Sequence, residues 1–254
     1  IVRLNEDAAF AFPFCDGYWS RMLNPRYDYE EEIEAFLRNS ADLRYSFIDC
    51  GANFGYWSVL ASSRPYGRQQ TLAIEASSEN ATRLRTNALL NGDRFHWLNV
   101  AIGGKVGGFA RITGARHESM ETLALTQNEP DAVPIVSLDS LAAEGHIDVT
   151  MPVVIKLDVE GMEIEALAGA EGLMQHECVV ICEEHGSDRT HGITRHLINE
   201  LSLSAFVFDP FRCRFIRLDR IERLDQIKKH AWVGYNVFAT SSALLPSLHP
   251  RCSG

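Results

Sequence analysis

From about residue 45 almost to its end, the chain alternates short apolar runs with amphipathic segments, and this alternation constrains the fold more than any other feature. The runs are Phe47-Ile48-Asp49-Cys50, Thr71 to Glu75, Phe95 to Ile102, Val153 to Asp158 and Val179 to Glu183. Between them, Glu79 to Leu90 puts Ala81, Leu84, Ala88 and Leu89 on one helical face, with Ser77 or Ser78 as N-cap and Asn91-Gly92 as its end. Met162 to Met174 groups Ile164, Leu167 and Ala168, and the segment from His191 groups Ile193, Leu197, Ile198 and Leu201. Apolar strands joined by crossover helices predict an α/β domain with a mostly parallel sheet covered on both faces. The tail breaks this rhythm. Ala205 to Asp209, Arg214 to Leu218 and Trp232 to Ala239 are strands separated by turns, which predicts a closing antiparallel pair.

Before residue 45 the chain is less regular, so residues 1–45 divide from a domain over 46–254. Asp28 to Arg38 reads as a helix with Asp28, Glu30, Glu31 and Glu32 at its positive end. Phe10 to Phe14 and Tyr18-Trp19 are too aromatic for a disordered leader, and serve either as packing at the sheet edge or as a lid over a substrate.

Charge narrows the partners. Lys and Arg number 24 against 34 Asp and Glu, a net charge of −10, which repels a phosphate backbone and argues against nucleic acid. Arg212, Arg214, Arg217, Arg220 and Arg223, interleaved with Phe211 and Phe215, read as a solvated strand face. No apolar stretch approaches the roughly 18 residues of a membrane span, and Asn5, Glu6 and Asp7 interrupt any signal-peptide pattern; the expectation is a cytoplasmic protein with no membrane partner. The start at Ile1 suggests part of a longer polypeptide, and a homo-oligomer is compatible. Six cysteines without a Cys-x-x-Cys pair predict reduced, mostly buried thiols.

In an open parallel sheet the ligand lies beyond the carboxyl ends of the strands, so the chemistry belongs just after each run. Asp49-Cys50-Gly51-Ala52-Asn53-Phe54-Gly55 is the first such turn, and Glu75, ending the second strand twenty residues later, is placed to accept both hydroxyls of a ribose. The turn lacks the Gly-x-Gly-x-x-Gly of dinucleotide enzymes, and Asn53 occupies the place of the second glycine, which favours a nucleoside without phosphates and disfavours a nicotinamide oxidoreductase. Further on, Lys156, Asp158 and Glu160 share one face of an otherwise apolar strand, and the next strand ends Glu183-Glu184-His185. Two readings follow. One is an ion-pair network with Lys156 as its hub. The other is a reactive rim, with Asp158, Glu183 and Glu184 holding a divalent cation or His185 acting as general base. His117, in the polar loop Thr113 to Ser119, is a second candidate base.

Taken together, Asp49-x-Gly-Ala-Asn-x-Gly55, Ile74-Glu75 with Glu79-Asn80, Leu84, Asn87 and Asn91, then Ser137-Leu138-Asp139, Ile155-Lys156-Leu157-Asp158-Val159-Glu160-Gly161 with Glu163, and Leu167-x-Gly169-Ala170 resemble the FkbM-type methyltransferases over residues 46 to 185. The resemblance implies a Rossmann-like methyltransferase fold with a seven-stranded sheet, S-adenosyl-L-methionine as cofactor, and methylation of a hydroxyl on a small molecule, sugar or natural product. N- or carboxyl-methylation and non-catalytic binding of the cofactor are the alternatives. It places Gly51, Ala52, Asn53 and Gly55 against the methionine part, Asp49 behind the loop, Glu75 on the ribose, and Ala76, Asn99 and Ala101 near the adenine. Ile74-Glu75-Ala76-Ser77 departs from the family's usual Phe-Glu-Pro, which touches packing around the adenosine. Lys156, Asp158, Glu160, Glu183 and His185 are left as the candidate catalytic set.

Overall fold

The structure is a computed structural model and describes residues 1–24, 29–113, 119–121, 129–159, 161–184, 188–227 and 234–247. Its main sheet is built from β1 (Ser46–Cys50), β2 (Gln70–Ile74), β3 (His96–Leu98), β4 (Val153–Leu157), β5 (Cys178–Glu184), β6 (Ser204–Asp209), β7 (Arg214–Arg217) and β8 (Tyr235–Thr240). The spatial order is β7-β6-β8-β5-β4-β1-β2-β3. Strands β1 to β5 run parallel, while β6, β7 and β8 join by antiparallel pairing. Eight described strands thus replace the seven implied. The difference is β7, a hairpin partner added outside β6, and on this edge strand Arg214 and Arg217 are exposed charges of the kind that discourage edge-to-edge pairing.

The apolar runs become central strands because both of their faces are buried. On one face Ile48, Ile155, Val180 and Val237 pack with Leu138 and Leu141 of α4 (Leu138–Ala143) and Ala166 and Leu167 of α5 (Glu163–Ala168). On the other, Phe47, Val154, Ile181 and Phe238 pack with Ile33, Phe36 and Leu37 of α1 (Glu31–Asn39) and Trp57 and Leu60 of α2 (Tyr56–Ala61). The helix α3 (Ser78–Leu90) begins at Ser77, whose hydroxyl accepts the Asn80 amide at 3.3 Å.

That helix also holds the N-terminal segment. Asn87 is fully buried; its Oδ1 accepts the Ala11 amide at 2.7 Å and its Nδ2 donates to the carbonyls of Ala11 and Phe54 at 3.0 and 2.9 Å. One turn later Asn91 repeats the pattern on Ala9, at 3.0 and 2.7 Å. Two side-chain amides four residues apart therefore stand in for a neighbouring strand. Phe10, between those two alanines, is fully buried and meets Trp19 edge-on at 4.9 Å. Asn87→Ala leaves three backbone groups without partners, so a loss of about 1–3 kcal/mol is expected together with faster proteolytic cutting before residue 24. Limited proteolysis against an exposed α3 variant, Arg85→Ala, measures it.

Three elements differ from expectation. Phe95 to Ile102 is not one strand: after β3 the chain turns at Asn99, whose Nδ2 donates to the carbonyls of Glu75 and Ala76 at 2.8 and 3.3 Å. Ala101–Ile102 then enters a second sheet with Val133–Val136, Phe109–Thr113 and Ser119–Glu121, strands too short to print a period in the sequence. The helix expected over Met162 to Met174 stops at Ala168, and its C-cap Gly169 packs so closely that a Cβ would lie 2.3 Å from the Gly103 carbonyl oxygen. The segment after His191 winds as Gly192–Arg195 and continues as a π turn over His196–Glu200. Among the described residues no helix is long and apolar enough to cross a membrane.

Candidate active site

Sheet order reverses between β1 and β4, and a cleft of about 810 Å³ opens at the carboxyl ends of the strands there. Gly51 makes the opening. It has φ +77°, and a Cβ on it would lie 1.7 Å from the carbonyl oxygen of Asp158, so only glycine lets the β1 and β4 ends come this close. Asn53 follows with φ +52°, a left-handed conformation that asparagine tolerates. Its amide donates to Glu75 Oε2 at 2.7 Å, and the Ser77 amide donates to Glu75 Oε1 at 2.7 Å. The amides of Gly51 and Ala52 both donate to the Ile74 carbonyl at 2.9 Å, tying the turn to the end of β2. Glu75 is therefore fixed where it was expected, and burial pushes its carboxyl up to about 7.

Near the adenine position expected from the sequence, the side chains bordering the cleft are Ala76, Val100 and Ile102. Ala101 points away, packed with Ala110 and Val133, because residues alternate sides in an extended chain. Asn99 acts on the site from behind, through its bonds to Glu75 and Ala76.

The cleft floor carries the charges. Asp49 and Lys156 are side by side in the register of β1 and β4, and Leu157 pairs with Cys182, so Asp158 comes beside Glu183. Lys156 is 2% exposed, with its Nζ 3.3 Å from Asp158 Oδ2. Burial alone would lower the Lys156 ammonium, but Asp158, Glu30, Asp49 and Glu183 outweigh it and hold the group charged. Burial raises Asp49, which accepts the Ser58 hydroxyl at 2.6 Å through Oδ2 while Oδ1 is buried without a hydrogen-bond partner. Burial, then Asp158 and Glu30, push Glu183 up to about 9.

Glu184 requires a correction. Adjacent strand residues face opposite sides, so Glu183 reaches the cleft and Glu184 turns into the other layer, where its Oε2 accepts the amide and hydroxyl of Thr194 at 2.9 and 2.6 Å. Asp158, Glu183 and Glu184 thus do not assemble as cation ligands, and no group of three or more described His, Cys, Asp or Glu residues could hold a metal ion. Glu160, His185 and His117 lie outside the described residues.

Glu30 belongs to the charge cluster beneath the cleft, acting on Lys156 and Glu183, and was read only as a helix-end charge. It precedes α1 with φ +46°, which turns its carboxylate inward to accept Trp57 Nε1 at 2.5 Å and Asn236 Nδ2 at 2.9 Å. Nothing local in the sequence separates it from Glu31 and Glu32. One side of the cleft is walled by Tyr18, Trp19, Tyr29 and Tyr56. Trp19 is 3% exposed, and its Nε1 donates to Asn53 Oδ1 at 3.2 Å, so the aromatic segment is fastened to the glycine turn itself.

The model of the methyltransferase FkbM domain matches residues 49–208, more than half of the 254. The chain belongs to the FkbM methyltransferase family. The matched FkbM region runs from Asp49 through β6 and so contains Gly51, Glu75, Lys156, Asp158 and Glu183. Among solved structures, a methyltransferase FkbM from Methylobacillus flagellatus KT is 16% identical over 78% of this chain, with a TM-score of 0.49, and the chain spans 44% of its length. A precorrin-6y C5,15-methyltransferase from Geobacter metallireducens GS-15 is 13% identical over 86% of this chain and 91% of its own, with a TM-score of 0.48. No curated protein matches the FkbM chain significantly.

Proposed function

We propose that this FkbM domain transfers a methyl group from S-adenosyl-L-methionine to a hydroxyl of a small molecule or sugar. The observation that carries this reading is the placement of Glu75 beside the Gly51 to Gly55 turn, at the switch point of the sheet. Each Glu75 oxygen accepts one backbone amide and keeps a further lone pair, which suits the two hydroxyls of a ribose. The buried, unpartnered Asp49 Oδ1 on the cleft wall suits an ammonium donor. When bound, S-adenosyl-L-methionine supplies an electrophilic methyl carbon. The chain's own work is to orient the acceptor against it and keep water away. Trp19, Tyr29 and Tyr56 form the excluding wall, and Asp158, whose side chain is 30% exposed, offers its carboxylate to an acceptor hydroxyl. The carboxyl groups of Asp16, Asp49, Glu75, Glu79 and Asp158 on the same cleft disfavour an anionic acceptor, which weighs against carboxyl methylation.

Glu75→Ala removes charge-assisted bonds worth about 1.5–3 kcal/mol, so the affinity for S-adenosylhomocysteine falls at least tenfold by calorimetry. Because the Glu75 carboxyl titrates near 7, wild-type affinity also weakens as pH falls through that value, and Glu75→Gln loses this dependence. Unchanged affinity in Glu75→Ala would refute the cofactor assignment.

A further inference from the structure

The cleft floor holds more carboxyl groups than its cations balance. Around the Asp158 and Glu183 carboxyls stand Lys156 from β4, Asp49 from β1, Glu75 after β2, Glu163 of α5, and Glu30 and Tyr29 before α1, with Asn236 of β8 opposite Glu183 in the register. Lys156 supplies the buried positive charge among them. Asp158 takes a bond from Lys156 Nζ at 3.3 Å, and the register of β4 and β5 sets it beside Glu183 on the same cleft. Glu183 reaches that position because of Gly234, at the entry to β8, where a Cβ would lie 1.8 Å from Glu183 Oε1 and 2.6 Å from its carboxyl carbon. The glycine is a notch that accepts this carboxyl. Two acids side by side in a low-dielectric cleft hold one proton between them, since both cannot ionise cheaply.

We infer that Asp158 and Glu183 are a proton-sharing pair whose proton leaves when a sulfonium charge enters the cleft and is replaced by the acceptor's proton during methyl transfer. The inference rests on the methyl-donor reading above. In the step itself the acceptor oxygen bonds the methyl carbon, the carbon–sulfur electron pair goes to sulfur, and the oxygen's proton passes to Glu183. A positive charge disappears from sulfur as a proton arrives on the pair, so the charge of the cleft stays constant. That constancy is the catalytic advantage, because a buried site resists any net change of charge.

Calorimetric titration of S-adenosylmethionine and S-adenosylhomocysteine in buffers of unlike ionisation enthalpy reads the proton directly. The sulfonium ligand releases about one-half to one proton more than the thioether in the wild-type protein at pH 8, and Glu183→Gln loses that excess. Gly234→Ala, which crowds the carboxyl out of its notch, reduces it. Without any variant, preference for the sulfonium ligand over the thioether rises at least about tenfold between pH 7 and pH 9. Proton counts that differ equally in wild type and Glu183→Gln, or a preference flat with pH, overturn the pair while leaving the cofactor reading standing. If neither ligand binds, the cofactor reading fails and the pair with it.

Discussion

Lys156→Met lowers stability by about 3–5 kcal/mol, the cost of leaving buried carboxylates without their cation. The residue is 2% exposed and its ammonium is held charged by Asp158, Glu30, Asp49 and Glu183, so methionine fills the volume but none of the charge. For a domain of this size that loss is a fall in melting temperature of roughly 10 °C. Its pH dependence has a definite sign. Lys156 is the charge that lowers Glu183, Asp49 and Glu30, so without it all three hold their protons more tightly in the folded variant than in the folded wild type, and stability falls more steeply as pH rises. The gap to wild type is therefore wider at pH 8 than at pH 6. Thermal melts at both values check this, and a melting temperature equal to wild type at pH 8 would show that Lys156 is not the hub.

Gly51→Ala is the second large effect. The new methyl would overlap the Asp158 carbonyl oxygen at 1.7 Å, and that oxygen is backbone, so the β1 and β4 ends must part. The left-handed φ costs about 1–2 kcal/mol, and the forced shift a further 1–3 or so. Parting those ends also displaces Asn53 from Glu75 and Asp49 from Lys156, so S-adenosylhomocysteine affinity drops by about tenfold or more through the lost Glu75 geometry. Gly92→Ala is the control: its φ is +70°, but a Cβ there has nothing within 4 Å, so it pays only the backbone cost. Wild-type ligand affinity in Gly51→Ala would remove the turn from the site.

Most of the main sheet was legible because β1, β2, β4 and β5 are buried on both faces, and such strands write themselves as continuous apolar runs flanked by amphipathic helices. The turn and Glu75 were legible for a related reason. A sheet of this kind opens its cleft at strand ends, so a glycine turn and a terminal carboxylate have one place to go. Lys156 and Asp158 were visible as charges in a strand too apolar to be on the surface, and the reading of Lys156 as an ion-pair hub corresponds to the cluster seen around it.

The second sheet was not legible, because strands of two to five residues carry too few side chains to show alternation. The place of Glu30 was hidden too. Its sequence neighbours are also glutamates, and only its left-handed backbone angle and the approach of Trp57 and Asn236, 27 and 206 residues away, turn it inward. Glu184 shows the converse. Sequence proximity grouped it with Glu183, and the pleat of β5 sent the two to opposite layers.

By itself, then, the sequence determined the layer order, the strand ends at which chemistry can occur and the residue types available there, since local periodicity and burial are written along the chain. Which carboxyls share a proton, which amides hold the aromatic wall, and which glycines let strands and side chains touch were decided only by tertiary structure. Those contacts join residues tens to hundreds of positions apart, and their energies depend on distance and burial, which the order of residues does not contain.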